Sequence, residues 1–498
     1  MAIINSLPPE IIAHAFKYCA YEAQEAWIQY VLDKPKNNQL RRKGPLVDAT
    51  TTSDSAPFSQ PMNPTPYYCM TLTHVCRFWR GIALAYSGLW SHVVVLDKEV
   101  TMEMLKRSAG QPLTVIFRLP EREVEAGTRN VAGTRTEIFK AVLEENIGRV
   151  DTLVTPMLPE LLTLQFASKA PHLRRLMFIE PSPVVPETAA NPETVQDRVV
   201  LSALESLVSV APLWAPLTPL CAPTVKTLVL THTVPHDDMS EDEPEEDMYL
   251  TRFIELTDVL RRLPHLEHLD VALSDDDEGF PYNAELPRLR TLGLKTSTRI
   301  CASFLRFVKV PQNTKVRLRG FLSDDVTGWK TTDVPKTLAE VIADPSKVDG
   351  PKFEPVLSAA ICWKAGRYKL RGWRSVQYFK DEDQDPEPDV DLDLSVGAHV
   401  SDLLAVLGTL PLCSVQTLRL GYLPWPGGEE VFDCARALCL MPNLEQLALD
   451  LIFPSLVWEL LAITPATRTF FSHDSFERRD EKRWDRTSIE KAEKMFNR

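Results

Sequence analysis

A short pattern returns along most of this 498-residue chain: Pro-x-(Leu/Val)-x-x-Leu-x-apolar. Five clear copies begin at Pro171, Pro223, Pro264, Pro287 and Pro442. Looser ones lie at Val150–Leu153, Leu204–Leu207, Val316–Leu318 and Val415–Leu420. Counted at the first Leu or Val, the positions 150, 173, 204, 225, 266 and 289 step by 23, 31, 21, 41 and 23 residues, and 415 to 444 is 29. A unit of this size cannot bury its own apolar face, so units must stack on one another.

The spacing near 20–29 residues is that of a leucine-rich repeat. The proline is expected to end a preceding helix. The next leucine packs in the turn, and the Leu-x-apolar pair forms a short strand with alternate residues buried. Helical stretches at 253–263, 400–410 and 431–440 precede copies of the motif. The expected fold is therefore α/β: an irregular solenoid over 150–472, with one strand and one helix per repeat. In such an array the residues beside the strand leucines face one side. They are Met177, Val229, Asp270, Gly293, Arg419 and Ala448, which form the candidate substrate face but share no charge or aromatic theme.

Composition narrows the function. With 55 basic and 68 acidic side chains the formal charge is −13, which disfavours phosphate-driven nucleic-acid binding unless basic residues are segregated into a patch. The longest uncharged stretch, 206–225, is broken by Pro212, Pro216, Pro219 and Pro223 and is not expected to cross a membrane. The N-terminal residues lack the basic start of a secretory signal. The 9 scattered cysteines lack a CxxC pair and read as reduced core thiols of a cytoplasmic or nuclear protein. Acidic runs at 237–247, 275–278 and 381–393 read as solvated loops. Residues 323–387 lose the repeat but hold Trp329, Trp363 and Trp373, which implies folded structure. The stretch 475–498 mixes charges and reads as a solvent-facing helix or tail. His265 and His268 have metal-like spacing but flank buried leucines. The sequence carries no nucleophile elbow, phosphate loop or dinucleotide fingerprint, so neither cofactor nor catalysis is expected.

The N-terminal segment is of another kind. Leu7-Pro-Pro-Glu-Ile-Ile starts a helix whose stripe is Ile11, Ile12, Ala15, Phe16 and Cys19. A weaker helical stretch follows at 21–32. Residues 33–67, rich in Pro, Ser, Thr, Asn and Lys, read as a disordered insert. A second helix is expected over 72–84, with Leu72, Val75, Cys76, Trp79, Ile82 and Ala83 on one face and Cys76 buried. Leu89-Trp90 and a strand at 91–96 follow, then a connecting helix and strand within 97–149.

Leu-Pro-x-Glu-Ile, Val-Cys-x-x-Trp and Leu-Trp, in that order, resemble an F-box, and with the repeats the chain resembles the large fungal set of F-box proteins with leucine-rich repeats. The segment Arg107–Leu113 also looks like one that often follows the box. The box would occupy residues 1–96 and be interrupted by the insert. The resemblance implies an all-α cluster that docks on the Skp-type adaptor of a cullin–RING (SCF-type) ubiquitin ligase, while the repeats capture a protein substrate and the chain itself does no bond chemistry. By position, the adaptor-facing residues would be Leu7, Pro8, Ile11, Ile12, Phe16, Val75, Cys76, Trp79, Leu89 and Trp90. The alternative is a scaffold that uses only its repeats, or uses the adaptor without a ligase.

Overall fold

A computed structural model describes residues 7–42, 68–95, 97–117, 129–156, 158, 161, 164–179, 201–210, 220–231, 253–273, 283–311, 313–321, 355–364, 367–377, 386–394, 412–421, 441–449, 469–472 and 482–485. The chain divides into two compact units, Met1–Leu250 and Thr251–Arg498. Both are mixed α/β with parallel-rich sheet.

In the first unit the strands are β1 (His92–Val95), β2 (Leu113–Phe117), β3 (Val150–Thr155), β4 (Arg175–Phe178), β5 (Ser206–Ser209) and β6 (Thr227–Leu230). They pair in sequence order and all in parallel. The expected boundary at residue 96 thus falls between two hydrogen-bonded strands: β1, read as the end of the helical domain, is the first strand of the sheet.

In the second unit β7 (His268–Ala272) pairs with β9 (Thr291–Ser297), and β9 with β11 (Lys315–Phe321), all in parallel. A separate two-stranded pair joins β8 (Ala284–Glu285) to β10 (Val308–Lys309). The parallel run then changes. The hairpin of β12 (Ser358–Lys364) and β13 (Arg367–Trp373) is antiparallel, and β13 also pairs antiparallel with β14 (Val390–Leu394), which returns in parallel to β11. Beyond it come β15 (Thr417–Leu420) and β16 (Gln446–Leu449), parallel again, then β17 (Thr469–Ser472) and β18 (Lys482–Asp485), which pair antiparallel. The region without a repeat signal is therefore partly a hairpin built into the same sheet. Residues 482–485 form a strand, which corrects the expected helix or tail there.

The repeat motif packs its leucines in a turn and a short strand, as expected, and the hydrogen bonds add the proline's place in that turn. The proline follows the end of a helix at Pro171 and Pro264. In every clear copy it is also the second residue of a β-turn, where its fixed φ is already suitable. Leu173 N–H donates to Ala170 O at 3.3 Å, Val225 to Ala222 at 3.0 Å, Leu266 to Leu263 at 3.1 Å, Leu289 to Leu286 at 3.1 Å and Leu444 to Met441 at 3.1 Å. The copies without proline close the same turn, Leu204 to Leu201 and Val415 to Leu412, each at 3.0 Å. The turn leucine and the strand leucine then point inward, and both sets are buried: Leu173, Leu204, Val225, Leu266 and Leu289 with Leu176, Leu207, Leu228, Leu269 and Leu292. Among the described residues, helices precede β2 (Lys98–Arg107), β3 (Arg129–Asn146), β4 (164–169), β7 (Phe253–Leu260) and, with β10 between, β11 (Thr298–Phe307). The stretches 400–410 and 431–440 lie outside the described residues, as do the insert residues 43–67. No described helix is long and apolar enough to cross a membrane.

Close packing between strands gives a first prediction. A Cβ on Gly421 would stand 2.7 Å from Cys362 Cβ and 3.5 Å from Cys362 Cα, which cannot move independently of β12. A Cβ on Gly293 would stand 2.6 Å from the Asp270 carboxylate, the free end of an exposed side chain. Gly421→Ala is expected to cost about 1–3 kcal/mol by overpacking, and Gly293→Ala about 0.5 kcal/mol as a surface change. Urea midpoints of the two variants test the order; equal midpoints would sink the argument.

His92 gives a second. It lies half-buried on β1, and its Nδ1 is buried without a hydrogen-bond partner. Burial, helped by the charge of Lys17, lowers its pKa from 6.5 to about 4. Above pH 6.5 both folded and unfolded states carry it neutral, and stability is complete. Between 6.5 and about 4 the unfolded chain takes up a proton that the folded one refuses, so stability falls as pH falls. The loss reaches about 3 kcal/mol near pH 4. His92→Gln removes this slope, and unfolding titrations of both chains from pH 7 to 4.5 should diverge accordingly. Parallel curves would show that the imidazole is solvated.

Candidate protein-docking surface

The N-terminal helices form a cluster whose surface is unusually apolar. Helix α1 runs Pro9–Arg42 as one element, ten residues into the segment expected to be an insert. Pro8 O accepts from Ile11 and Ile12 N–H at 3.0 and 3.2 Å, so the Leu-Pro-Pro start opens the helix. The helix expected over 72–84 is two: α2 (Tyr68–Thr73) and α3 (Arg77–Ala85). Cys76 is the break. Its backbone is extended (φ −160°, ψ 170°), and its sulfur accepts from Trp79 N–H at 3.4 Å as a helix cap.

The break changes which side chains face out. Val75 and Cys76 are exposed, which corrects the expected burial of Cys76. Cys19, Cys76, Cys221, Cys301, Cys362 and Cys413 are free thiols; of these six, Cys19 and Cys413 are also exposed, and Cys221 and Cys301 are buried. Of the ten residues the F-box likeness names, Leu7, Pro8, Ile11, Val75 and Cys76 are exposed. Ile12, Phe16, Leu89 and Trp90 are buried inside the cluster, and Trp79 is half-buried with its ring 5.0 Å from that of Phe16. Trp90 donates from Nε1 to Ala83 O at 2.7 Å, and the Arg107 guanidinium lies 4.7 Å over its ring. The named set thus divides into an inner half that holds the helices together and an outer half free to meet a partner.

Sequence reasoning missed part of the outer half. Of nine large apolar or aromatic side chains exposed among the described residues, seven lie between residues 7 and 84: Leu7, Ile11, Tyr18, Tyr21, Val75, Phe78 and Leu84. Ile11 and Val75 are 53 % and 50 % exposed, although isolated side chains of this kind are worth about 1.5–3 kcal/mol when covered. Phe78 and Leu84 were hidden by the helix phase assumed for 72–84. A cap by cysteine has no common sequence signature. The Tyr18 hydroxyl is hydrogen-bonded to Glu22, which raises its pKa.

The strand-face residues are placed as follows. Met177 stands opposite Val154 and Val208, and Val208 opposite Val229, so one row crosses β3 to β6. Met177 also lines a polar cleft of about 460 Å³ with Tyr21, Glu25, His92, Thr152 and Arg175. Its rim carries alternating charges, Asp151–Arg174 at 3.7 Å and Glu205–Lys226 at 3.2 Å. In the second unit Asp270 faces Gly293, and Arg419 faces Ala448. Arg419 is buried, at 7 % exposure, which removes it from the expected surface. His265 is exposed; His268 shares a 2.7 Å hydrogen bond with Thr291 Oγ1. The described residues hold no cluster of three potential metal ligands.

Neither a family model nor a curated protein matches this chain.

Proposed function

We propose that this chain is the substrate-recognition subunit of an SCF-type ubiquitin ligase. Its N-terminal helices dock on a Skp-type adaptor, and its strand array, read as an irregular leucine-rich-repeat solenoid, holds a protein substrate. The observation that carries the reading is the concentration of exposed apolar side chains on the helices that hold the Leu-Pro-x-Glu-Ile and Val-Cys-x-x-Trp motifs. An apolar surface of this kind is the mark of a protein partner. The chain acts by positioning a substrate lysine near the ubiquitin-charged enzyme, with no bond chemistry of its own.

The test is co-purification of the full chain with a Skp-type adaptor, followed by assembly with the cullin scaffold. Capture of the adaptor and recruitment of the cullin support the reading. Capture without cullin supports an adaptor-bound protein outside a ligase. Failure to capture any adaptor, by a folded chain, would leave a scaffold that works through its strand face alone.

A further inference from the structure

The second unit carries five cations on one sheet face, interleaved with carboxylates. Along β11 the outward residues are Lys315, Arg317 and Arg319; along β13 they are Lys369 and Arg371. Between these strands lies β14 with Asp391 and Asp393, so that Arg317 and Arg371 flank Asp391 from both sides, and Arg319 and Lys369 flank Asp393. Three of the cations are engaged. Lys315 and Arg317 both pair with Glu387, the former at 3.0 Å, and Lys369 lies 3.9 Å from Asp391. Among the described residues, neither Arg319 nor Arg371 has an ion pair or a side-chain hydrogen bond. Two guanidiniums beside strand carboxylates, yet unspent on them, are a charge surplus in a chain of net charge −13.

The arrangement favours a particular ligand. Strands lie about 4.8 Å apart and rise about 3.3 Å per residue, which places the Arg319 and Arg371 backbones roughly 12 Å apart across β14. That span equals three to four residues of an extended peptide. Carboxylates on alternate residues of such a peptide stand on one side, about 6.8 Å apart, within reach of both guanidiniums. Each guanidinium can take a carboxylate through two parallel hydrogen bonds. A nucleic acid fits poorly, because the carboxylates of β14 split the cations into two strips and leave only two uncommitted charges for phosphates.

We propose that this face binds an acidic peptide segment in extended form, with Arg319 and Arg371 as its anchors. The inference rests on the receptor reading and names the substrate class of its strand face. The test uses a fluorescein-labelled twelve-residue peptide of alternating Glu and Thr, its Gln-for-Glu counterpart, and a single-stranded oligothymidine of equal charge. Fluorescence polarisation with the full chain is expected to show binding of the Glu peptide alone, weakened at least about tenfold in Arg319→Gln/Arg371→Gln. Arg319→Glu/Arg371→Glu is expected to abolish it, with circular dichroism reporting that both variants keep the fold. No binding of the Glu peptide, binding unchanged in both variants, or equal binding of the oligothymidine would each overturn the proposal. Adaptor capture, measured on the same preparations, depends on the helices of the first unit. Its loss would sink the receptor reading, while loss of peptide binding alone would sink this one.

Discussion

Ile11→Glu combined with Val75→Glu is expected to abolish capture of a Skp-type adaptor while leaving the unfolding midpoint of the chain within experimental error of the parent. Both residues are half exposed, at 53 % and 50 %, so neither contributes much packing to the free chain. Exposed sites of this kind usually change stability by about 0.5 kcal/mol or less. In the complex each would lose the roughly 2 kcal/mol of a covered aliphatic side chain. Each would also bring a carboxylate that must shed water against an apolar partner. A combined loss of about 4 kcal/mol is close to three orders of magnitude in affinity. The measurement is adaptor binding by calorimetry beside urea unfolding of the same samples. Undiminished binding by the double variant would remove the exposed helix surface as the docking site. The single variants should not sum to the double, because contact residues at the centre of an interface share their shielding from water.

The sheet was legible because its signal is repeated and local. Leu173, Leu266 and Leu289 recur with the same following Leu-x-apolar, and each is buried where the pattern requires it. Their turns were expected, but the proline's place in them was not, because a proline suits two roles, stopping a helix or filling the second place of a β-turn. Only the hydrogen bonds, such as Leu266 N–H to Leu263 O, tell them apart. The hairpin of Ser358–Lys364 with Arg367–Trp373 escaped because antiparallel strands inserted in a parallel array keep none of the proline-turn spacing. The docking surface was half legible. The motif residues were found, but a motif does not say which of its side chains face inward. Ile12 and Ile11 are adjacent in sequence and opposite in role, at 2 % and 53 % exposure, because successive helix residues point about 100° apart. Arg319 and Arg371 were invisible for a related reason: 52 residues separate them, and only the intervening β14 brings them to one face.

Trp90→Ala is expected to cost about 3–5 kcal/mol of folding free energy and to remove adaptor capture indirectly, by loosening the cluster. The indole is 4 % exposed. Its Nε1 meets Ala83 O, one of the last four carbonyls of the helix Arg77–Ala85, which have no partner along the helix itself. Losing the ring therefore removes buried apolar volume and leaves that carbonyl without its donor, and it also strips Arg107 of its aromatic contact. Trp90→Phe keeps most of the volume but not the donor, and should fall between, at about 1–3 kcal/mol. Hydrogen exchange at the amides of residues 80–86 reads the loss locally, where a global melt would mix two units. Faster exchange in step with weaker adaptor capture, and recovery of capture at lower temperature, identify Trp90 as the residue that holds the docking helix in place. Lost capture with unchanged exchange would instead make it a contact of the adaptor, and would show that the buried half of the motif opens when the partner binds.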